Sequence, residues 1–431
     1  MTIKKIFFSG LLLASCSALA QAETVEQLAS KIEPDVIKWR HHFHQYPELS
    51  NREVNTAQYV ANYLKSLGLE VHTGVAKTGV VAVLDSGKPG PVVGLRADMD
   101  GLPVKEMNSL PYRSEVVGEY RGEQVPVMHA CGHDTHMAML MGAAKILVEQ
   151  KAQLKGKVKF IFQPAEEGAP DGEEGGAELM VKEGVLKNPN VDVMFGLHIN
   201  SATDVGTVKY RAGGIMAAVD TFKVVIKGRQ AHGAYPWKSV DPIVTAAQMV
   251  MALQTIVSRE LTIIDDGAVV TVGIIKGGNR SNIIPAEVTL EGTIRTLNPT
   301  ARAMIHEAMQ RKVKAIAESM RASAELMLPY GPAYPITYND PSLMSQMLPT
   351  LVRTAGNEHV VEAKAVTGAE DFSFFQTQVP GLYLFVGGKP LNVPAADAPA
   401  HHTPDFYVDD AGMKLGVEVL TNLTMDYMKQ H

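Results

Sequence analysis

Cysteine is almost absent: the 431 residues hold two, Cys16 and Cys131. That excludes a small disulfide-stapled scaffold. No charge of one sign dominates, since 40 Lys and Arg stand against 46 Asp and Glu, a formal net charge of −6. Such a balance gives no electrostatic footprint for nucleic acid. Long apolar runs are missing as well; beyond Ala22 none approaches the roughly 20 residues of a membrane span. With 46% hydrophobic and 20% charged residues, the chain is neither disordered nor collagen-like. At roughly 150 residues per domain, its length predicts two or three domains.

What is present begins with an address. Lys4 and Lys5 precede an apolar run from Ile6 to Ala14, and Ala20-Gln21-Ala22 stands before Glu23. A charged n-region, a short apolar h-region and an A-x-A site predict a secretory signal peptide over residues 1–22, and hence export to the periplasm or beyond. Leu13-Ala14-Ser15-Cys16 offers an alternative, a lipoprotein box that would anchor the chain through Cys16. Cleavage after Ala22 leaves Cys131 with no intrachain partner. It is then either a buried core thiol or a metal ligand or nucleophile, and its neighbours decide.

Strand-like runs alternate with helical ones: Gly79–Leu84, Val92–Ala97, Lys157–Gln163 and Val191–His198 as buried strands, Met137–Lys151 as a helix. This predicts an α/β domain with a largely parallel sheet, whose ligands gather at the strand C-termini. From Gly213 the pattern changes. Asp220–Lys227, Ala268–Ile275, Val288–Arg295 and Ala324–Met327 read as strands, Asp241–Ser258 and Thr300–Met320 as helices. The order β-α-β-β-α-β is the split ferredoxin-like unit, here read as an α+β domain (213–329) inserted between two parts (23–212 and 330–431) of the first. Gly213-Gly214 is the expected hinge. Pro341–Thr354 (helix), Leu382–Val386 (strand) and a helix from Asp410 complete the chain.

Four clusters carry chemistry. His129-Ala130-Cys131-Gly132-His133-Asp134-Thr135-His136 packs a thiol, imidazoles and a carboxylate together, the donor set of Zn²⁺ and neighbouring divalent ions. Glu166-Glu167 follows a strand, where one carboxylate can bind metal and the other take a proton; a solvated acidic loop is the alternative. His198 ends a strand, and His401-His402 precedes Pro404 in a loop. Either can be a ligand or a structural imidazole. His232 and the loop around Asn282 read by themselves as polar surface.

Arg96–Pro103 (RADMDGLP), HACGHDTH, QPAEEG, FGLH, GRQAHGAYP, Gly278–Pro285, TGAEDFSFF and HHTPDF occur in the order found in M20 metallopeptidases. From about Trp39 to the C-terminus the chain resembles their amidohydrolase subgroup, which includes hippurate hydrolases, N-acyl-amino-acid amidohydrolases and plant auxin-conjugate hydrolases. The resemblance implies a zinc-peptidase-like catalytic domain, with the inserted domain as a lid that mediates homodimers. It implies two divalent ions (Mn, Zn, Co or Ni) on Cys131, His133, Glu167, His198 and His402, with Cys131 a bridging thiolate whose pKa the cations would lower. Glu166 would be the general base, and Asp98 would orient a metal-binding imidazole. His232 would reach the substrate carbonyl, often in the partner's site, and Asn282 would touch substrate. The implied activity is amide hydrolysis of N-acyl-amino acids, with a metallo-dipeptidase or carboxypeptidase as the alternative. A binding protein on the same frame would have lost its base and ligands, which are all present. Trp237 departs from the polar residue common in relatives. His44, Pro47, Glu48 and Leu49 match an HxxPEL stretch read as packing.

Overall fold

The computed structural model describes residues 23–431 except 263, 265, 266 and 332. The expected signal peptide, and the alternative anchor at Cys16, lie outside the described residues. Among them, no helix is long and apolar enough to cross a membrane.

An eight-stranded sheet runs in the spatial order Glu70–Val75, Gly79–Asp85, Lys157–Gln163, Val92–Asp98, Val193–Asp204, Gly381–Lys389, Val208–Tyr210, Val360–Glu362. Its four central strands are parallel, as is the last pair. Gly79–Asp85 runs antiparallel to both its neighbours, and Val208–Tyr210 runs antiparallel to Gly381–Lys389. The sheet is therefore mixed rather than simply parallel. Its central strands read as continuous apolar runs because both faces are covered. Phe160, Leu95, Leu197 and Leu384 pack under helices Val25–Gln45, His133–Glu149 and Met413–Gln430. Their neighbours Ile161, Tyr383 and Phe385 turn to the other face, against Met180 and Phe372. This alternation of period two puts His198, next to Leu197, on that second face.

The helix expected from Met137 starts at His133, so His133 lies in its first turn. Gly132 precedes it with φ +98°, and a Cβ there would come within 2.3 Å of the Ile199 side chain.

The chain between Met216 and Thr337 builds a four-stranded antiparallel sheet in the order Ala268–Gly277, Glu287–Thr296, Ala218–Lys227, Ser323–Met327. Helices Pro242–Glu260 and Pro299–Ser319 pack on it around Phe222, Leu253, Leu290 and Ile305. Asp241 and Asn298 accept hydrogen bonds from the first-turn amides of these helices. On either side of this unit, Gly213–Met216 pairs with Thr337–Asn339 as a two-stranded ribbon.

Candidate metal centre

Four chain segments meet at the C-terminal edge of the central strands. The loop before the His133 helix brings Cys131, and the turn after Lys157–Gln163 brings Glu166 and Glu167. Strand Val193–Asp204 brings His198, and the loop beyond Gly381–Lys389 brings His402. Ala165 and His402 both adopt left-handed backbone (φ 53° and 64°). Non-glycine residues hold that conformation at a cost, where surrounding structure fixes it.

Cys131 Sγ is 3.4 Å from His198 Nε2 and 3.2 Å from His402 Nε2. His402 Nε2 is 3.1 Å from Glu167 Oε1. Donor atoms of Cys131, His133 and His198 lie within 4.8 Å of one another, and so do those of Cys131, Glu167 and His402. Donors sharing one tetrahedral ion at the usual bond lengths stand about 3.3–3.8 Å apart; the contacts here lie at or just below the short end of that range, so small side-chain shifts would admit divalent ions, with the sulfur common to both groups. Buried His133 Nε2 makes no hydrogen bond among the described residues. An orphaned donor of this kind is what an ion would satisfy.

Electrostatics favours a cation. Glu166 is 6% exposed, and its carboxyl forms a buried triad with Glu370 and Asp371. Burial, reinforced by Glu370, Glu167 and Asp371, pushes Glu166 well above the ordinary carboxylate range. Burial, then Glu167 and Glu166, likewise raises the Cys131 thiol. The protein alone therefore holds a thiol, and a cation would have to release its proton. Burial opposes charge on His133, but Asp98 and Asp100 outweigh it and lift its pKa to about 10. Burial drives His198 far below its usual value, keeping it neutral. The hydrogen bond that His402 donates to Glu167 raises the His402 pKa.

Asp98 is not placed as expected. It lies 3.7 Å from His133 Nε2 and spends its short contacts on His136 Nδ1 (2.6 Å) and Arg96 Nη1 (2.7 Å). The far nitrogen of His133, Nδ1, meets the Asp100 carbonyl at 2.8 Å instead. Asp100 also accepts the amides of Glu166 (3.0 Å) and Glu167 (3.1 Å), and buried Glu53 accepts that of Ala165 (2.8 Å). Two carboxylates thus fix three successive amides of the turn that aims both glutamates. Asp100 stands in the RADMDGLP stretch, whose second Asp was the available signal; Glu53 gave none. Arg96 is fully buried and ties Asp98, Glu370 and Asp371 behind the site. Tyr334 donates to the Glu166 carbonyl at 3.0 Å.

His401 is structural: its Nε2 accepts from Ser201 N, and its Nδ1 faces the Cys131 carbonyl. His44 bridges Asp134 and Glu106, and Glu48 accepts the amides of Asn55 and Thr56, both packing roles. His232 and Asn282 sit together, linked by the Gly233 N–H to Asn282 carbonyl bond (2.8 Å) on an exposed face of the four-stranded unit. Neither lines the cavity of about 1080 Å³ that opens from Cys131, Glu166 and Glu167 toward Arg295 and Tyr334. Trp237 is exposed beside Tyr235.

Residues 94–426 match the family model described as Peptidase family M20/M25/M40. The chain is 39% identical over 398 residues to thermostable carboxypeptidase 1 of Saccharolobus solfataricus, covering 91% of this chain and 96% of that protein. It is 38% identical to N-acetyl-L-cysteine deacetylase of Bacillus subtilis, over 89% and 86% of the two chains. The Bacillus subtilis YXEP protein, whose crystal structure is described as a dinuclear metal-binding peptidase of the M20 family, superposes with TM-score 0.76 at 32% identity, over 93% of this chain and all of that one.

Proposed function

Because the chain belongs to peptidase family M20/M25/M40, hydrolases of amide and peptide bonds, we propose that it is an exported enzyme that deacylates N-acyl-amino acids. In this reading two divalent ions are held by Cys131, His133, Glu167, His198 and His402. The observation that carries it is the sulfur shared by two three-donor groups, beside a buried carboxyl, Glu166, that hydrogen-bonds none of them. The dinuclear description of the YXEP protein supports the metal count. The deacetylase relative supports the substrate class.

When bound, such ions lower the pKa of water toward about 7 and polarise the scissile carbonyl. Cys131, whose sulfur belongs to both groups, would be the ligand that the two ions share. Glu166 takes the proton of the attacking water and passes it to the departing amine nitrogen. Its carboxyl suits that exchange, because Glu370 and Asp371 favour its protonated form while nearby cations favour the ionised one. Arg96 and Asp100 keep the base and the His133 ring in place.

We assign residues 213–329 as a lid through which two chains pair. Its edge strand Ala268–Gly277 exposes Ile274 and Ile275, and the adjacent helix exposes Ile243, Val244 and Met251. An uncovered apolar strand edge of this kind invites pairing. His232 would then serve the partner's site as an oxyanion donor, worth about 10²–10³ in rate, and Asn282 would contact the same substrate. Mixing two inactive variants, His232→Ala and Glu166→Gln, is expected to restore part of the activity. A mixture that stays inactive while the chains exchange removes the shared site.

A carboxypeptidase or dipeptidase reading draws on the 39% identical relative. Enzyme loaded in turn with Mn²⁺, Co²⁺ or Zn²⁺ and offered N-acetyl- and N-benzoyl-amino acids beside dipeptides decides between them. Faster turnover of the dipeptides overturns the deacylase reading.

A further inference from the structure

The floor of the cavity is one row across the central sheet. Phe385 is the register partner of His198 on one side and of Lys209 on the other, and Lys209 is in turn the partner of Val361. His198, Phe385, Lys209 and Val361 therefore stand side by side on four neighbouring strands, and all four line the cavity. Register partners face the same side of a sheet. The row thus leads from a metal-ligand candidate, over an aromatic wall, to an ammonium two strands away. At the usual strand spacing that is about 10 Å from backbone to backbone.

The charge along this row is uneven. The inner end holds Glu166, Glu167 and Glu370, which bound cations would neutralise. The outer end holds Lys209 and, just past the neighbouring strand Val360–Glu362, Lys364; Arg295 lines the cavity from the four-stranded unit. Among the described residues, neither lysine has an ion-pair partner, and Arg295 makes one contact of 3.4 Å to the Thr367 carbonyl. Glu362 is the one acid at that end, and it too is unpaired among the described residues. Unpaired cations lining a cleft raise the local concentration of anions. An amino acid reaches about 3.5 Å from its acylated nitrogen to its own carboxylate. Lys209, Lys364 and Arg295 outnumber Glu362 in the lining away from the candidate ligands, and one α-carboxylate offsets only part of that charge.

We propose that the outer end selects a second carboxylate, so that the preferred substrates are N-acylated dicarboxylic amino acids of the glutamate or aspartate type, with Lys209 as the specificity-determining residue and Lys364 supporting it. This rests on the deacylase reading, and names its substrate class. The side-chain carboxylate would reach past Phe385 to the Lys209 ammonium while the scissile carbonyl stays at the inner end. Nothing in the row offers an acidic partner to a basic side chain except Glu362 at its rim.

The test compares N-acetyl-L-glutamate with its near-isostere N-acetyl-L-glutamine on the metal-loaded full chain, by turnover and by calorimetric binding. Wild type is expected to prefer the glutamate compound about 10- to 100-fold, the range carried by hydrogen bonds to charged groups, mainly through KM and Kd. Lys209→Met should bring the ratio toward one, and Lys209→Glu should invert it; adding Lys364→Met should lower any residual preference. Equal handling of the two compounds by wild type overturns the proposal. So does a preference for glutamate that survives in Lys209→Glu. Binding that favours the glutamate compound and depends on Lys209, without hydrolysis of either compound, would remove the deacylase reading and with it the substrate assignment, leaving only the carboxylate selection at Lys209, which separates the two failures.

Discussion

Glu166→Gln is expected to lower kcat for N-acyl-amino acids by about 10²–10⁴-fold, the usual contribution of a positioned acid–base group, with KM little changed. Gln keeps the shape and fills the same buried space, but can neither accept the water proton nor deliver one to the amine. Metal content is the discriminating readout. Glu166 also stands within reach of His133 and Glu167 in a third donor group, so a ligand role is a concrete rival. If Glu166 is the base, the variant keeps its full complement of ions, measured by elemental analysis. Loss of an ion together with the activity would make Glu166 a ligand and leave the base unassigned.

Replacing Cys131 by Ala should have the second large effect. Its sulfur is the one donor common to both three-residue groups, so its loss leaves each with two of its three donors. Bound ions should fall from two per chain to one or none, and turnover should drop by more than the roughly 10- to 100-fold typical of losing a supporting partner of a ligand. The protonation states add a second signature. The thiol is held protonated by burial and its acidic neighbours, and His133 titrates at about 10. Both must shed protons to bind metal, so uptake should acidify an unbuffered solution and tighten as pH rises toward 10. Cys131→Ala should release fewer protons per ion bound. Full occupancy in that variant would exclude the bridging role.

The large-scale fold was legible where burial was uniform. Strands such as Lys157–Gln163 and Gly381–Lys389 are covered on both faces, and their apolar runs announce it. The strands Glu70–Val75 and Val360–Glu362 were not legible, being mostly exposed and, in the second case, three residues long. Helix Val25–Gln45 hides for a different reason. Its buried stripe includes Arg40 and His44, which meet Asp134 across the interior, so the apolar period breaks where an ion pair replaces packing. The five candidate ligands and Glu166 were individually visible as residue types in motifs, yet only the folded sheet brings them within a few ångströms. Asp100 and Glu53 were not visible as supports, because each acts through the backbone amides of a distant turn. Spacing along a sequence carries no record of such a contact. The Asp98 expectation failed for a related reason: two aspartates two residues apart point to one face of a strand's end, and which of them meets His133 is settled by where the helix begins.

The ribbon made by Gly213–Met216 and Thr337–Asn339 pairs Met216 directly with Thr337. The chain's exit from the large sheet and its return are therefore neighbours, and everything between them hangs from a single stem. A two-residue turn spliced there would close the stem as an ordinary hairpin, with no strand of the large sheet having to change its partner. Topologically, a unit of more than a hundred residues is thus an oversized loop. It is an attachment that a gene could gain or lose at one junction, and its departure would take away His232, Asn282 and Arg295 while leaving all five candidate ligands in the remaining chain.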